Sequence, residues 1–182
     1  MRKLVVSEFI TLDGVIESPQ DWSFPYWNDE IASFKLDEIR ACGGLVLGRV
    51  TYEGFAQAWP GRTDEQGYAD RINSLPKYVV SSTLPAAEWQ NSTLIRGGLA
   101  AEIARLKQQP GGDLVLFGSG MLARGLAGLN LVDEYHLLVY PVAPGKGRRL
   151  FEGSARASLA LLDVKRYSSG VVLLKYQVIH PS

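Results

Sequence analysis

Along most of the chain, apolar runs of strand length alternate with segments of helical period. KLVVSEFI (3–10) predicts a first strand, followed by a long polar and aromatic loop that continues to Tyr26. In NDEIASFKLDEIRA (28–41), Ile31, Phe34 and Ile39 fall near one helical face. Asn28 is placed to cap that helix, and acids occupy its first turn. GLVLG (44–48) predicts a buried strand, and residues 49–58 a helix. KYVVSS (77–82) predicts a strand closed by Thr83 and Pro85, and TLIR (93–96) a short one. LAAEIARLKQQ (99–109) is amphipathic and ends at Pro110 and two glycines, as helices do. DLVLFG (113–118) predicts a strand, and SGMLARGLAGL (119–129) a helix.

The grammar changes after Asn130. DEYHLLVYPV (133–142) predicts a strand, and APGKGRRLFEGS (143–154) a loop. SLALLDVKRY (158–167) and VVLLKYQVIH (171–180) predict two strands joined by Ser-Ser-Gly as a hairpin. Alternating strands and helices argue an α/β fold with a mostly parallel central sheet, and the hairpin an antiparallel C-terminal edge. With no internal repeat, low-complexity stretch or linker, residues 1–182 read as one domain.

Composition narrows the function. The 182 residues are 46% hydrophobic and 21% charged, enough to bury a sizeable core. Lys+Arg and Asp+Glu are equal at 19 each, without the basic excess that nucleic-acid binding uses. Lys146-Gly147-Arg148-Arg149 is a dense basic cluster, readable as a local anion contact or a solvated loop. Cys42, the one cysteine, excludes an intrachain disulfide and suits a reducing compartment. It reads as a buried filler, not a nucleophile. His136 and His180 stand far apart, so no metal site is expected. No apolar run reaches membrane-spanning length, and MRKLVVSEFI reads as a strand and not a signal peptide. A cytoplasmic protein is expected.

Chemistry concentrates where strands turn into helices. In open α/β sheets, ligands bind beyond the carboxyl ends of the parallel strands. At Gly48-Arg49-Val50-Thr51, a glycine admits close approach, a helix N-terminus offers free N–H groups, and Arg49 and Thr51 add a cation and a hydroxyl. An arginine at a helix start opposes the dipole, which favours an anion seat over a merely polar turn. Gly118-Ser119-Gly120 is a second such seat, and residues 118–123 fit the pattern G-x-G-x-x-A. A full dinucleotide fingerprint also needs an acid at the end of the next strand. Asp133 and Glu134 stand at its start, so an ordinary Rossmann site is not expected. Ser81 and Ser82 end another strand, with Arg96 beyond the next as a possible counter-charge; singly, an ordinary serine turn is the simpler account.

Asp13-Gly14 ends the first strand on the same edge. Trp22, Phe24, Tyr26 and Trp27 crowd the loop after it without helical or strand period. Such aromatics either cap a core or wall a pocket for a flat heterocycle. Glu30, in the first turn of the next helix, is a carboxylate able to point into that pocket.

In this order, these residues resemble the dihydrofolate reductase superfamily, especially the branch containing the reductase domain of bacterial riboflavin biosynthesis. SEFITLDGVI resembles its S-L-D-G segment, with Thr11 in the serine's place. LVLGRVTYEGF resembles its G-R-x-T-[YW]-E motif, and YVVSS its strand ending near the 2′-phosphate of NADPH. LFGSGMLARGLAGLNLVDEYHLLVYPVAPGKGRRLF resembles its second glycine turn and its long L-[VI]-D-E to G-x-G-x-x-L-F segment. The resemblance covers nearly the whole chain and implies a three-layer dihydrofolate reductase-like fold.

It also implies NADPH as cofactor, lying across both glycine turns with the nicotinamide toward Asp13 and the aromatic loop. The implied cofactor-binding residues are Gly48, Arg49, Thr51, Ser81, Ser82, Gly118, Ser119, Gly120, Met121 and Leu122. EIASFK resembles the helix whose carboxylate grips the pterin ring, which gives Glu30 that role, with Asp13 as the other catalytic candidate. Trp22, Phe24, Trp27 and Arg148 are the implied substrate-binding residues. The expected reaction is reduction of 5-amino-6-(5-phosphoribosylamino)uracil or a similar small heterocycle. A dihydrofolate or pterin reductase, a reductase of an unrelated compound, and a non-catalytic NADPH-binding module are the alternatives. The apolar strands of the terminal hairpin predict a homodimer formed through that edge.

Overall fold

The structure, a computed structural model, describes residues 1–153 and 156–180. Ser154, the last residue of the predicted loop, lies outside the described residues. Strand β1 (Leu4–Thr11) is buried on both faces, as are β2 (Gly44–Gly48) and β5 (Leu114–Phe117). Their near-continuous apolar runs require a layer of helices on each side of the sheet. With β3 (Lys77–Val80), β4 (Ser92–Ile95), β6 (Glu134–Tyr140), β7 (Ser158–Arg166) and β8 (Val172–Ile179), they form one sheet in the order β4-β3-β2-β5-β1-β6-β8-β7. Pairings from β4 across to β6 are parallel. β8 runs antiparallel to β6, and β7 antiparallel to β8.

Helices α1 (Asp29–Ala41), α2 (Arg49–Ala58) and α3 (Tyr68–Ser74) pack on one face, where Leu36, Ile39, Tyr52 and Ile72 meet Val5, Leu45, Leu47 and Val115. Helices α4 (Leu99–Gln108) and α5 (Gly120–Gly128) cover the other through Ile103, Leu106, Leu122 and Leu126. The Asn28 side chain caps α1 by accepting from Ile31 N at 3.0 Å, as the sequence predicts.

Three features differ from the expected elements, each for a local reason. Helix α3 has a polar sequence with little period, and only Ala69 and Ile72 are buried. Asp64 holds its start by accepting from the backbone N–H of Tyr68 and Ala69. Strand β3 stops at Val80 because Ser81 Oγ accepts from Thr83 N and Leu84 N, turning the chain away. Strand β6 stops at Tyr140, since Pro141 has no N–H to continue the ladder. Cys42 is buried, and burial pushes its thiol up to about 11, consistent with a filler. Among the described residues, no helix is long and apolar enough to cross a membrane, and no group of three His, Cys, Asp or Glu is arranged to hold a metal.

Candidate active site at the carboxyl edge of the sheet

The turns after the parallel strands β1 to β6 all open on one edge. There the two predicted glycine turns are pressed into each other. A Cβ on Gly48 would stand 2.6 Å from the Ser119 Cβ, and one on Gly118 would stand 2.6 Å from the Thr51 Oγ1. Gly118 has φ 65 and Ser119 φ 63, so two consecutive residues occupy the left-handed region. A serine there is a strained choice of the kind that gathers at functional sites. Ser119 Oγ caps α5 by accepting from Leu122 N at 3.3 Å. Gly48 precedes α2 and brings no side-chain cap to its N–H groups. The two helix N-termini therefore meet closely, the side chain of Ser119 lying against Gly48 and that of Thr51 against Gly118.

The remaining cofactor candidates divide by exposure. Arg49 is half-exposed on the first turn of α2, with Glu53 Oε1 3.8 Å from its Nη1. Met121 points to the surface at 70% exposure, while Leu122 is buried in the core. Gly120 faces the loop after β1, since a Cβ there would stand 2.3 Å from Ile16 Cδ1. Ser81 is buried with its hydroxyl engaged in the turn, whereas Ser82 is exposed. Arg96 does reach this turn, donating to Pro85 O at 2.8 Å and to Ser82 O at 3.5 Å.

The second cluster lies beyond β1 and β6. Asp13 Oδ1 accepts from Thr11 Oγ1 at 2.6 Å and Oδ2 from Gly145 N at 2.9 Å, with Arg149 Nη2 3.8 Å away. The Thr11 hydroxyl first, then the Gly145 amide and the Arg149 charge, hold Asp13 below the usual carboxylate range. Glu30 accepts from Ser168 N at 2.7 Å, Ser168 Oγ at 2.5 Å and Asn28 Nδ2 at 3.1 Å, and these bonds hold it low as well. Each acid is thus tied to a different loop. Arg148 turns to Glu17 at 3.3 Å, leaving Arg149 as the basic residue beside Asp13. Sequence reading missed Arg149, although it stands in the quoted basic cluster.

The aromatic loop does two things at once. Trp22 and Tyr26 set their edges on the buried Tyr140, at ring separations of 5.3 and 6.1 Å, and so cap a core. Phe24 and Trp27 stay exposed, at 70% and 45%, as a wall would be. Beneath α1 lies a charged cluster that sequence reading did not find. Glu38 accepts from Lys35 Nζ at 2.5 Å and Ser7 Oγ at 3.0 Å, and its other oxygen lies 3.2 Å from His136 Nδ1. Burial pushes Glu38 up, but the Lys35 ammonium and His136 outweigh it and bring the carboxyl down to about 2. On the other face, Glu8 is buried, among the described residues without a charged partner at hydrogen-bond distance, and burial pushes it up to about 8. A depression of about 760 Å³ lies elsewhere, between α2, α3 and residues 86–90, and touches none of the predicted site residues. At the predicted site, Ile16 lies against Gly120 and Trp22 against Tyr140.

Comparison with known proteins matches residues 2–173 to one family, the RibD C-terminal domain. A curated relative, the uncharacterized protein YyaP of Bacillus subtilis (strain 168), is 30% identical over 96% of this chain and 94% of its own. Among solved structures, a putative riboflavin biosynthesis protein from Shewanella sp. PV-4 superposes with a TM-score of 0.77 at 21% identity, over 98% of this chain and 99% of that one. The diaminohydroxyphosphoribosylaminopyrimidine deaminase/5-amino-6-(5-phosphoribosylamino)uracil reductase of Thermotoga maritima gives 0.66 at 16% identity, over 98% of this chain and 57% of that one. Dihydrofolate reductase from Enterococcus faecalis, complexed with NADP(H), gives 0.60 at 16% identity, over 97% and 96%. The fold is dihydrofolate reductase-like, as the sequence motifs imply.

Proposed function

The chain belongs to the RibD C-terminal domain family, and from that premise we propose that it is an NADPH-dependent reductase of a small flat heterocycle. The first candidate reaction is that of the 5-amino-6-(5-phosphoribosylamino)uracil reductase type, after the Thermotoga maritima protein. The observation that carries the proposal is the interlock of the two glycine turns, Gly48 on Ser119 and Gly118 on Thr51. It sets the N-terminal ends of α2 and α5 against each other, with the Ser119 and Thr51 hydroxyls between them, which suits a pyrophosphate. Arg49 adds a cation beside it. At the adenosine end, exposed Ser82 and Arg96 are better placed for a 2′-phosphate than Ser81, whose hydroxyl is already used.

When bound, NADPH supplies the hydride; the chain's own residues bind and orient. Asp13 and Glu30, both held below the usual carboxylate range, are charged at neutral pH. Charged acids accept N–H groups of a heterocycle but are poor proton donors, so orientation is the role we give them. Trp27 and Phe24 wall the ring, and Arg148 exchanges Glu17 for a substrate phosphate.

A screen of heterocycles that follows the loss of NADPH absorbance tests the reading, with dihydrofolate and the aminouracil as first substrates. An NADPH-induced melting shift without turnover of any heterocycle would favour a binding module.

We extend the proposal to a cytoplasmic homodimer. Strand β7 forms the sheet edge, and Leu161, Leu162 and Val164 on it are 57%, 50% and 56% exposed. An unpaired apolar edge of this length invites a second copy. Light scattering at micromolar protein decides it, a monomer mass without concentration dependence being the adverse result.

A further inference from the structure

Two tyrosines at the substrate end bury their hydroxyl groups without a partner. Tyr140 closes β6 and is 0% exposed; Tyr167 follows β7 and is 1% exposed. Among the described residues neither phenol oxygen finds a hydrogen-bond partner, and the Ser169 Oγ in the adjoining hairpin turn shares that condition. Both rings belong to one cluster with Ile31, Leu138, Val171 and Leu173, between α1 and strands β6 and β8.

Packing alone would favour phenylalanine at both positions. A buried hydroxyl left unpaired costs about 1–3 kcal/mol relative to one that is satisfied. Orphaned groups of this kind call for an explanation, and a ligand contact is one. The other polar groups nearby are committed: Glu30 to Ser168 and Asn28, Asp13 to Thr11 and Gly145. Tyr140 is covered by the loop that carries Trp22 and Tyr26. That loop consists of two short 3-10 turns, Pro19–Asp21 and Phe24–Tyr26, entered through Ser18 at φ 49. Burial holds Tyr140 above the usual tyrosine range and Tyr167 up to about 12, so each keeps its proton at neutral pH and can donate it in a hydrogen bond.

We propose that Tyr140 and Tyr167 are the polar contacts of the substrate end. When the loop bearing Trp22 and Tyr26 lifts, their hydroxyls donate to carbonyl or ring-nitrogen acceptors of a flat heterocycle. The inference rests on the reductase reading above and adds to it which groups hold the ring.

Tyr140→Phe and Tyr167→Phe remove only the hydroxyls, which makes the test direct. Each free variant should melt at or above the wild-type temperature. Binding of 5-amino-6-(5-phosphoribosylamino)uracil, dihydrofolate or 5,6-diaminouracil, read from tryptophan fluorescence, should weaken about three- to tenfold. The melting shift produced by NADPH should stay as in the wild type. A variant that melts well below wild type has lost a structural bond, and that overturns the proposal. So does unchanged affinity for a heterocycle that the wild type binds. A wild type that responds to NADPH yet binds none of the three heterocycles overturns it too. A wild type without any NADPH response instead removes the reductase reading, and this inference with it.

Discussion

At the glycine turns the chain makes room by leaving side chains out, while at the aromatic end it fills the space with rings and buries hydroxyls beneath them. Gly48 and Gly118 each face a residue of the opposite turn at distances no Cβ tolerates. Tyr140 and Tyr167 lie under Trp22, Tyr26 and Ile31, with polar atoms that nothing among the described residues satisfies. One region is specified by absence and fails when an atom is added. The other is specified by side chains from distant segments and fails when a partner is removed. On the same face of the sheet as the phenols, the Lys35–Glu38–His136 cluster shows what a satisfied buried polar group looks like. Being buried and polar therefore does not by itself mark a ligand site; being unpartnered is the informative property.

Glu38→Ala should produce the largest effect and fixes the satisfied end of that scale. It leaves Lys35 buried without its carboxylate, a loss of about 3–5 kcal/mol in denaturant unfolding at neutral pH. The pH dependence follows in sign. Glu38 has a folded pKa near 2, below its ordinary 4.5, so its contribution is present above about 4.5 and fades as pH falls toward 2. The stability gap between wild type and variant should narrow with acid; a constant gap would mean that the pair is electrostatically silent.

Gly118→Val attacks the region built on absence. The new side chain meets Thr51 Oγ1 and must also hold φ 65. About 2–4 kcal/mol of stability and the NADPH melting shift should be lost together. Adding Thr51→Ala should recover part of the stability, the remainder belonging to the backbone. No recovery would show that the two turns do not press on each other.

Arg49→Ala separates binding from folding at the same turn. Its ion pair with Glu53 is half-exposed, so melting should hardly change. NADPH affinity should fall roughly 10- to 100-fold, as expected for one charge-assisted contact to phosphate. Unchanged affinity would leave Arg49 a surface residue.

The smallest effect is expected at Arg96. Arg96→Ala should weaken NADPH by about tenfold or less and leave NADH as it was, because a 2′-phosphate distinguishes the two. Equal losses for both would reduce Arg96 to a clip on the carbonyls of Ser82 and Pro85.

Much of this was legible along the chain, and the reasons are local. The Asn28 cap, the two glycine turns and the Ser-Ser-Gly hairpin each depend on a few neighbouring residues, and each forms where its motif stands. Helix α3 escaped notice because its stability comes from Asp64 and from burying Ile72, not from its own period. The buried cluster escaped for a different reason. Glu38 and His136 are 98 positions apart, and no spacing rule joins them. Arg148 and Arg149 show the limit within one motif: both are basic and adjacent, and only the bridge of Val15 to Arg149 decides which one turns to Asp13.

By itself, then, the sequence determined the alternation of strands and helices, the antiparallel edge and the two glycine turns, since backbone conformation and amphipathic period are written in short windows. Tertiary structure alone decided that the turns interlock, that Ser81 spends its hydroxyl on its own turn, and that two tyrosines lie beneath the aromatic loop without a hydroxyl partner among the described residues. Those outcomes depend on which distant side chains share a layer. That is settled by packing the sheet's two faces, where burial makes every polar atom's partner, or lack of one, a matter of energy.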